Sequence, residues 1–218
     1  IFPIYFGALF VDQNTISFFG SDIKNTAVIS FVTAFAFVIV AFISPILSGI
    51  ADYIGNKKKF MKIFVYMGSL SCVGLYFFEL ETIYLGLFFY FLAMVGIWSS
   101  LVFYNSYLPD IAYPEQQDRA SARGFSMGYV GSVLLLLANL AMVMQPQWFG
   151  ITGTPGEASM KAMRYSFVSV GIWWAFFSQY AFYFLPKGNH EVKVTKDIFW
   201  NGFKELRLVW NQLDQHMG

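Results

Sequence analysis

The sequence predicts an all-α integral membrane protein with six transmembrane helices, of which the first is truncated. The composition is the first reason: of 218 residues, 57% are hydrophobic, 21% aromatic and 12% charged, whereas a soluble domain carries about 25% charged residues. The second reason is that the few charges divide the chain into long uncharged runs. One soluble core cannot bury so much apolar surface, so a multi-pass membrane protein is expected.

Five uncharged runs are candidates for complete spans, since a helix needs roughly 17 to 25 residues to cross the hydrocarbon core. They are Thr26–Ala51, Ile63–Phe78, Thr82–Pro109, Gly124–Pro155 and Tyr165–Pro186. The second run reaches the required length when Phe60–Lys62 extends it, with the lysine snorkelling toward the headgroups. The apolar segment Ile1–Val11 is too short to cross, and we interpret it as the distal half of a sixth span.

Lysine and arginine are unevenly distributed over the loops between these runs. Eleven of the 14 basic residues fall on one side of the predicted topology and three on the other. The richer side is expected to be cytoplasmic under the positive-inside rule. The N-terminus and the segment after the last span then lie in the cytoplasm. The three residues on the opposite side are Lys24, Lys161 and Arg164.

The first basic loop, "SGIADYIGNKKKF", contains more than a lysine cluster. Asp52 stands at the membrane boundary, where a carboxylate tends to find a partner, and Gly55 allows a tight turn between antiparallel helices. Lys57 and Lys58 follow, and they could serve only to hold the loop in the cytoplasm. The order of an acid, a glycine and basic residues resembles the loop motif of the major facilitator superfamily, Gly-x-Leu-Ala-Asp-Arg-x-Gly-Arg-Arg/Lys, although Tyr53 replaces its arginine.

This resemblance implies a conformational motif formed by Asp52, Gly55, Lys57 and Lys58. In such a motif the aspartate would meet a helix N-terminus or a basic group of a partner half, because helix N-termini carry partial positive charge. The contact would exist only when the cytoplasmic side is closed. We therefore expect Asp52 to stabilise the outward-open state selectively.

A second charged segment, "LPDIAYPEQQDRASARGFSMGYVG", separates two of the runs. Its charges of both signs predict a cytoplasmic latch between helices, formed by Asp110, Glu115, Arg119 and Arg123. Three glycines follow at spacings that let two helices approach closely: Gly124, Gly128 and Gly131. A solvated loop followed by ordinary helix packing accounts for the same residues, and the sequence leaves both interpretations open.

The wider region Phe103–Leu137 resembles the bacterial unknown-major-facilitator (UMF) transporters, relatives of the fungal vacuolar autophagy-related amino-acid effluxers. The shared features are Tyr104-Asn105-Ser106, Leu108-Pro109-Asp110, Arg119 and the three glycines. The resemblance implies the N-terminal six-helix half of a major facilitator fold in the bacterial inner (cell) membrane. It also implies amino-acid efflux by alternating access, with the missing C-terminal six-helix half of the same polypeptide as a partner.

Candidates for a substrate cavity are the polar side chains deep in the spans, where no charged residue or histidine occurs. They are Tyr104, Asn105, Asn139 and Gln179. We expect Asn105 to line the transport path near its cytoplasmic end, although hydrogen bonding between helices accounts for the same residue. Trp173 and Trp174 are expected to face lipid or the membrane interface.

The remaining expectations concern function classes, partners and domains. Because His190 and His216 lie outside the spans without cysteine neighbours, we infer no metal site and no cofactor. The chain contains no pattern typical of an enzyme, and we expect a lipid bilayer and a small-molecule substrate as partners, without nucleic acid. Residues 1–186 are interpreted as a transmembrane bundle and residues 187–218 as a cytoplasmic linker with an interfacial amphipathic helix. A non-transporting six-helix scaffold or channel subunit is the alternative function.

Overall fold

The computed structural model describes residues 1–11, 15–18, 20–54 and 57–186, and it describes the backbone alone for residues 17–18 and 50–54. Helices dominate this part of the chain. They are α1 (Phe2–Leu9), α2 (Asn25–Ile54), α3 (Lys57–Gly74), α4 (Ile83–Asn105), α5 (Leu108–Ile111), α6 (Pro114–Met144) and α7 (Pro155–Phe184). Short 3₁₀ turns follow α3 at Leu75–Phe77 and α6 at Pro146–Phe149.

Within the described residues, four helices are long and apolar enough to cross a membrane: Asn25–Gly49, Lys57–Phe77, Ile83–Asn105 and Pro114–Met144. The predicted class of an all-α membrane protein is thereby confirmed. α7 has 30 residues, but its Ser, Gln, Trp and Tyr side chains lower its mean hydropathy and it is not among the four. α1 has eight residues, which at 1.5 Å per residue amounts to about 12 Å.

The helix ends differ from the ends of the uncharged runs. α6 begins at Pro114 rather than near Gly124, and α4 ends at Asn105, before Pro109. Pro109 instead lies in the first turn of α5, where a missing backbone N–H does no harm. The reason for the difference is that charge marks the edge of the hydrocarbon, whereas helical hydrogen bonding continues through the headgroup region.

An antiparallel β-hairpin between α1 and α2 was not predicted. It pairs β1 (Thr15–Phe18) with β2 (Ser21–Lys24), in a register that sets Ile16 opposite Ile23. Gly20, in the turn between the strands, has a φ of 80°, a conformation that glycine adopts without strain. We call the end of the bundle that carries this hairpin the hairpin end. The opposite end, where α3 begins at Lys57, is the lysine end.

The bundle is assembled around α3, which packs against α4 and α7 at backbone distance. A Cβ atom added to Gly96 of α4 would lie 2.7 Å from the Cα of Gly68 in α3. One added to Gly171 of α7 would lie 2.5 Å from the carbonyl oxygen of Ser69. These glycines permit the close approach because small residues let membrane helices bring their backbones together.

Aromatic packing closes the hairpin end. Phe78, after the 3₁₀ turn, is fully buried against the rings of Phe2, Tyr5 and Phe6 of α1, in a core cluster that also contains Phe167 of α7. The Tyr5 hydroxyl donates a hydrogen bond to the carbonyl of Phe78. α1 is therefore held by ring contacts and by one hydrogen bond to the connection between α3 and α4.

Arg164 of α7 holds the same connection from the other side. Its Nε donates to the carbonyl oxygen of Tyr76 at 2.6 Å, and its guanidinium forms an ion pair with Glu79. The guanidinium carbon also lies 4.6 Å from the centre of the Tyr76 ring, within cation–π range. Arg164 thus fastens α7 to the loop between α3 and α4.

Two sequence predictions fall on parts of the chain that are not described. Gly55 and the linker of residues 187–218, with its predicted amphipathic helix, lie outside the described residues. Asp52 lies in the last turn of α2, of which only the backbone is described.

The glycine contact between α3 and α4 makes a testable prediction. Gly96→Ala should lower the free energy of unfolding by about 1–3 kcal/mol, the usual cost of overpacking, because its methyl group would meet the Gly68 backbone. Gly128→Ala is the matched control: among the described residues, no atom lies within 4 Å of its added Cβ, so stability should be unchanged or slightly raised. Thermal unfolding in detergent measures both, and equal stabilities for the two variants would contradict the packing.

Candidate functional site

A cavity of about 850 Å³ lies inside the bundle, between α3, α4, α6 and α7. It exists because α3 contacts α4 and α7 closely, whereas α4 and α6 do not pack along each other. Ile1 and Phe2 border it toward the hairpin end, and Met61 and Phe182 border it toward the lysine end. Among the residues that the structure describes, its lining contains no Asp, Glu, Lys, Arg or His.

Each surrounding helix presents one face to the cavity. The lining positions recur every three or four residues, which is the spacing of one side of an α-helix. On α4 they are Tyr90, Ala93, Met94, Ile97, Ser100, Leu101 and Tyr104; on α6 they are Ser132, Leu135, Leu136 and Asn139. On α7 they are Ser166, Phe167, Val170, Trp173, Trp174, Phe177, Ser178, Ala181 and Phe182.

Of the four predicted cavity residues, the structure brings two to the cavity. Tyr104 and Asn139 line it, from α4 and α6 respectively. Asn105 is the last residue of α4 and is exposed outside the cavity lining. Gln179 is exposed on α7, where its Oε1 accepts a hydrogen bond from the Tyr66 hydroxyl at 3.0 Å. Asn105 and Gln179 therefore lie on other surfaces of their helices.

Asn139 is the buried polar group of the cavity wall. Its residue is 3% exposed, and it is the buried residue of α6. Its side-chain amide lies 2.7 Å from the Oγ of Ser169 in α7, and the same hydroxyl lies 2.8 Å from the carbonyl oxygen of Ser166. Asn139 thus joins α6 to α7 by a side-chain hydrogen bond in the cavity wall.

The position of the two tryptophans of α7 differs from the one expected from the sequence. Trp173 and Trp174 both line the cavity instead of facing lipid or the interface. Trp174 fits there because Gly68 leaves room for its ring: an added Cβ at Gly68 would come within 2.2 Å of the indole. The lining positions of α7 recur every three or four residues, and Trp173 and Trp174 both fall in that series. This helical spacing is the sequence signal that could have assigned them to the cavity.

Lys57 joins three elements at the lysine end. Its Nζ forms an ion pair with Asp110 of α5 at 2.9 Å and donates to the carbonyl of Ser106, which ends α4, at 2.8 Å. The ammonium also lies 5.8 Å from the centre of the Tyr107 ring. The Lys57 side chain is 14% exposed and that of Asp110 is 42% exposed, so this contact is shielded from water mainly on the lysine side.

Lys58 makes the corresponding contact to α7. Its Nζ donates to the carbonyl of Leu185, the residue that ends α7. Positive charge at a helix C-terminus is favourable because the last carbonyls carry partial negative charge. The two neighbouring lysines at the start of α3 thus hold the C-terminal ends of α4 and α7. We call this arrangement the lysine clamp.

Tyr107 lies beside the clamp, outside the spans. Burial raises the pKa of its hydroxyl to about 12, and the negative charge of Asp110 adds to the effect. Tyr107 consequently stays protonated and neutral at physiological pH. Asp110 is then the negative side chain that Lys57 pairs with.

The four-residue latch predicted at this end is not assembled as such. Asp110 pairs with Lys57 of α3, whereas Glu115, Arg119 and Arg123 are exposed on α6. Neither arginine forms an ion pair with Asp110 or Glu115 in the described part of the chain. The helix resumes at Pro114, so Glu115, Arg119 and Arg123 lie four residues apart along one face of α6, and Asp110 in α5 pairs with Lys57 instead of with either arginine.

The predicted packing glycines of α6 have three different environments. A Cβ added to Gly124 would lie 2.6 Å from the hydroxyl oxygen of Tyr104, and one added to Gly131 would lie 3.9 Å from the Trp173 ring. One added to Gly128 would meet no atom of the described residues within 4 Å. The backbone-to-backbone approaches occur instead at Gly96 and Gly171, which the sequence analysis did not select.

No group of three or more His, Cys, Asp or Glu side chains that could hold a metal ion occurs among the described residues. The chemistry available at the cavity is therefore that of neutral hydrogen-bonding groups and aromatic rings. Such a site can bind and orient a small solute.

Comparison with known proteins gives a family and two relatives. The model of the family described as "Vacuole effluxer Atg22 like" matches residues 9–217. The chain is 29% identical over 221 residues to "Uncharacterized MFS-type transporter YxiO" of Bacillus subtilis (strain 168), covering 99% of this chain and 48% of that protein. It is 32% identical over 109 residues to an "Uncharacterized protein" of Aquifex aeolicus (strain VF5), covering 49% of this chain and 27% of the relative. No solved structure matches.

The chain thus spans about half the length of the first of these relatives and a smaller share of the second. The family match covers nearly all of the chain and agrees with the resemblance found in the region around Tyr104 and Asp110.

The contacts of the lysine clamp predict that neighbouring lysines contribute differently to stability. Lys57→Gln should lower the free energy of unfolding by about 1 kcal/mol, because it removes a partly buried ion pair and a charge at the end of α4. Lys59→Gln is the control with the same loss of charge, since Lys59 is exposed. Asp110→Asn should lower the free energy of unfolding by about as much as Lys57→Gln does. Because both changes break the same ion pair, the double variant should lose less free energy of unfolding than the sum of the two single losses.

Chemical denaturation in detergent measures these differences. If Lys57→Gln and Lys59→Gln are equally stable, the lysines act only through their charge relative to the membrane, and the clamp makes no contribution.

Proposed function

The chain belongs to the family of Atg22-like vacuole effluxers, and from that premise we propose that it forms the N-terminal six-helix half of a secondary transporter. The transporter moves a small solute by alternating access, rocking this half against a C-terminal half of the same polypeptide. The share of the relative that the chain covers, 48%, supports a partner half of similar size. Amino-acid efflux, which the resemblance implies, is the proposed activity.

Six spans are part of this proposal. Four are the helices long and apolar enough to cross. α7 is the fifth, because its residues from Tyr165 onward carry no charge. α1 is the sixth and covers part of the bilayer thickness. The distribution of basic residues supports the lysine end as the cytoplasmic side and the hairpin end as the outer side.

The observation that carries the proposal is Asn139 in the wall of the cavity. A side-chain amide both donates and accepts hydrogen bonds, so Asn139 can bond a polar atom of a bound solute in addition to Ser169. Because the described lining contains no charged side chain, the ammonium and carboxylate groups of a bound amino acid would take their charged partners from the C-terminal half.

The cavity test compares two asparagines. In the full-length protein, Asn139→Ala should weaken binding of the transported solute about 10-fold, the effect of losing roughly 1.4 kcal/mol of hydrogen bonding. Asn105→Ala should leave binding unchanged, because Asn105 lies outside the lining. Binding to purified protein and uptake into proteoliposomes are both measured.

Two outcomes would contradict the assignment. Unchanged binding in Asn139→Ala, with a lower melting temperature, would give the amide a packing role. Complete absence of solute transport by the wild-type full-length protein under any imposed gradient would favour the non-transporting scaffold or channel subunit.

The orientation test uses cysteines in a Cys72→Ser background. A cysteine replacing Lys59 at the lysine end should be protected from a membrane-impermeant thiol reagent in intact cells, because that end is proposed to be cytoplasmic. A cysteine replacing Thr152, exposed at the hairpin end, should be labelled. Labelling of position 59 but not of position 152 would contradict the proposed orientation and would place the lysine end outside the cell.

A further inference from the structure

One narrow stripe of α3 is exposed, although the rest of the helix is covered by the bundle. The exposed positions recur at intervals of four, three and four residues, which places them on one side of the helix. They are Lys59, Ile63, Tyr66 and Leu70. Every other position of α3 is buried or partly buried. Because α3 belongs to the helices that are long and apolar enough to cross a membrane, this stripe is the side of α3 that is available for contact with lipid.

Two lysines stand where this stripe begins, at the lysine end. Lys59 is exposed, and Lys62 is half-buried, with its Nζ 5.2 Å from the centre of the Phe182 ring of α7. The ion pairs within the described part of the chain involve Lys57 and Arg164 instead. In that part of the chain, therefore, no carboxylate neutralises the two positive charges beside α7.

A polar pair lies deeper on the same surface. The Tyr66 hydroxyl donates a hydrogen bond to Gln179 Oε1 of α7 at 3.0 Å, and both side chains are exposed. Gln179 Nε2 donates to the carbonyl oxygen of Ala175 at 2.7 Å, which uses one of the two N–H bonds of the amide. Pure hydrocarbon offers no acceptor for the second N–H. The pair is therefore suited to a level of the membrane that contains oxygen atoms.

The spacing along α3 gives the depth of this pair. Tyr66 follows Lys59 by seven residues, which is about 10 Å at 1.5 Å per residue. The polar region on each side of a bilayer is about 5–8 Å thick, since the hydrocarbon core is about 30 Å and the whole bilayer about 40–45 Å. A lipid phosphate at the two lysines consequently brings the ester oxygens, which join the headgroup to the acyl chains, toward Tyr66 and Gln179.

We propose that the outer α3–α7 surface, formed by Lys59, Lys62, Tyr66 and Gln179, binds an anionic phospholipid. The phosphate lies beside the two ammonium groups, and the Gln179 amide donates to an ester carbonyl oxygen. Two uncompensated positive charges favour a headgroup with net negative charge, whereas a zwitterionic headgroup carries a cation of its own. The site goes beyond the proposed transport function and does not depend on it.

The test counts the lipid molecules bound to the full-length protein by native mass spectrometry. Delipidated protein in detergent is titrated with phosphatidylglycerol, or with phosphatidylcholine that carries the same acyl chains. Lys59→Gln and Lys62→Gln should each weaken phosphatidylglycerol binding by about 5-fold, the factor expected for one lysine beside an anionic headgroup. Neither variant should change the binding of phosphatidylcholine.

Lys57→Gln is the matched control, because it removes the same charge at the same end from a lysine that is already paired with Asp110. It should bind phosphatidylglycerol like the wild type. Equal losses in Lys57→Gln and Lys59→Gln would overturn the site, since the lysines would then act only as a diffuse positive charge. Unchanged binding in Lys59→Gln would overturn it as well. If Lys62→Gln does not fold, the comparison of the other two variants decides alone.

Gln179→Leu tests the deeper contact. It should weaken the binding of both lipids by the same factor, because the ester oxygens are common to phosphatidylglycerol and phosphatidylcholine. A loss confined to phosphatidylglycerol, or no loss for either lipid, would contradict the contact between the amide and the ester oxygens.

Discussion

The contact on which the rest of the bundle depends is the approach of α3 to α4 and α7 at backbone distance. Helices in a bilayer gain little from excluding lipid, which is as apolar as their own side chains, so close packing must supply the attraction. Gly96 and Gly171 permit it, each facing the α3 backbone where a methyl group would not fit. A helix fixed so closely on two sides determines where the remaining helices can lie.

The cavity follows from that arrangement. With α4 and α7 drawn onto α3, they diverge on the other side, and α6 attaches to α7 near Asn139 without filling the space in front of α4. The resulting cavity is lined by apolar and aromatic side chains with a few neutral polar groups. At the lysine end, Lys57 and Lys58 fasten the ends of α4 and α7 to the start of α3. At the hairpin end, Arg164 fastens α7 to the loop after α3.

The sequence predicted the class of the fold and the positions of the long helices, because an apolar run of roughly twenty residues without charge is typical of a membrane span. It did not predict which face of each helix looks inward. In a soluble helix, polar residues mark the outer face, whereas these helices are apolar on all sides. For that reason Asn105 was preferred over Asn139, and Trp173 and Trp174 were assigned to lipid.

The spacing of Gly124, Gly128 and Gly131 indicated close packing, but only contacts in space reveal that Gly96 and Gly171 provide it. Asp110 was expected to pair with the arginines of the latch, Arg119 and Arg123. In the structure it pairs with Lys57, 53 residues away in sequence, a contact that no local pattern encodes.

The bond between Lys58 and the carbonyl of Leu185 has a mechanical consequence. Leu185 follows the last residue of α7 and precedes Pro186, where the described part of the chain ends. Because a side chain of α3 holds the Leu185 carbonyl, a force applied to the end of α7 is shared with the start of α3 instead of acting on the last turn of α7 alone.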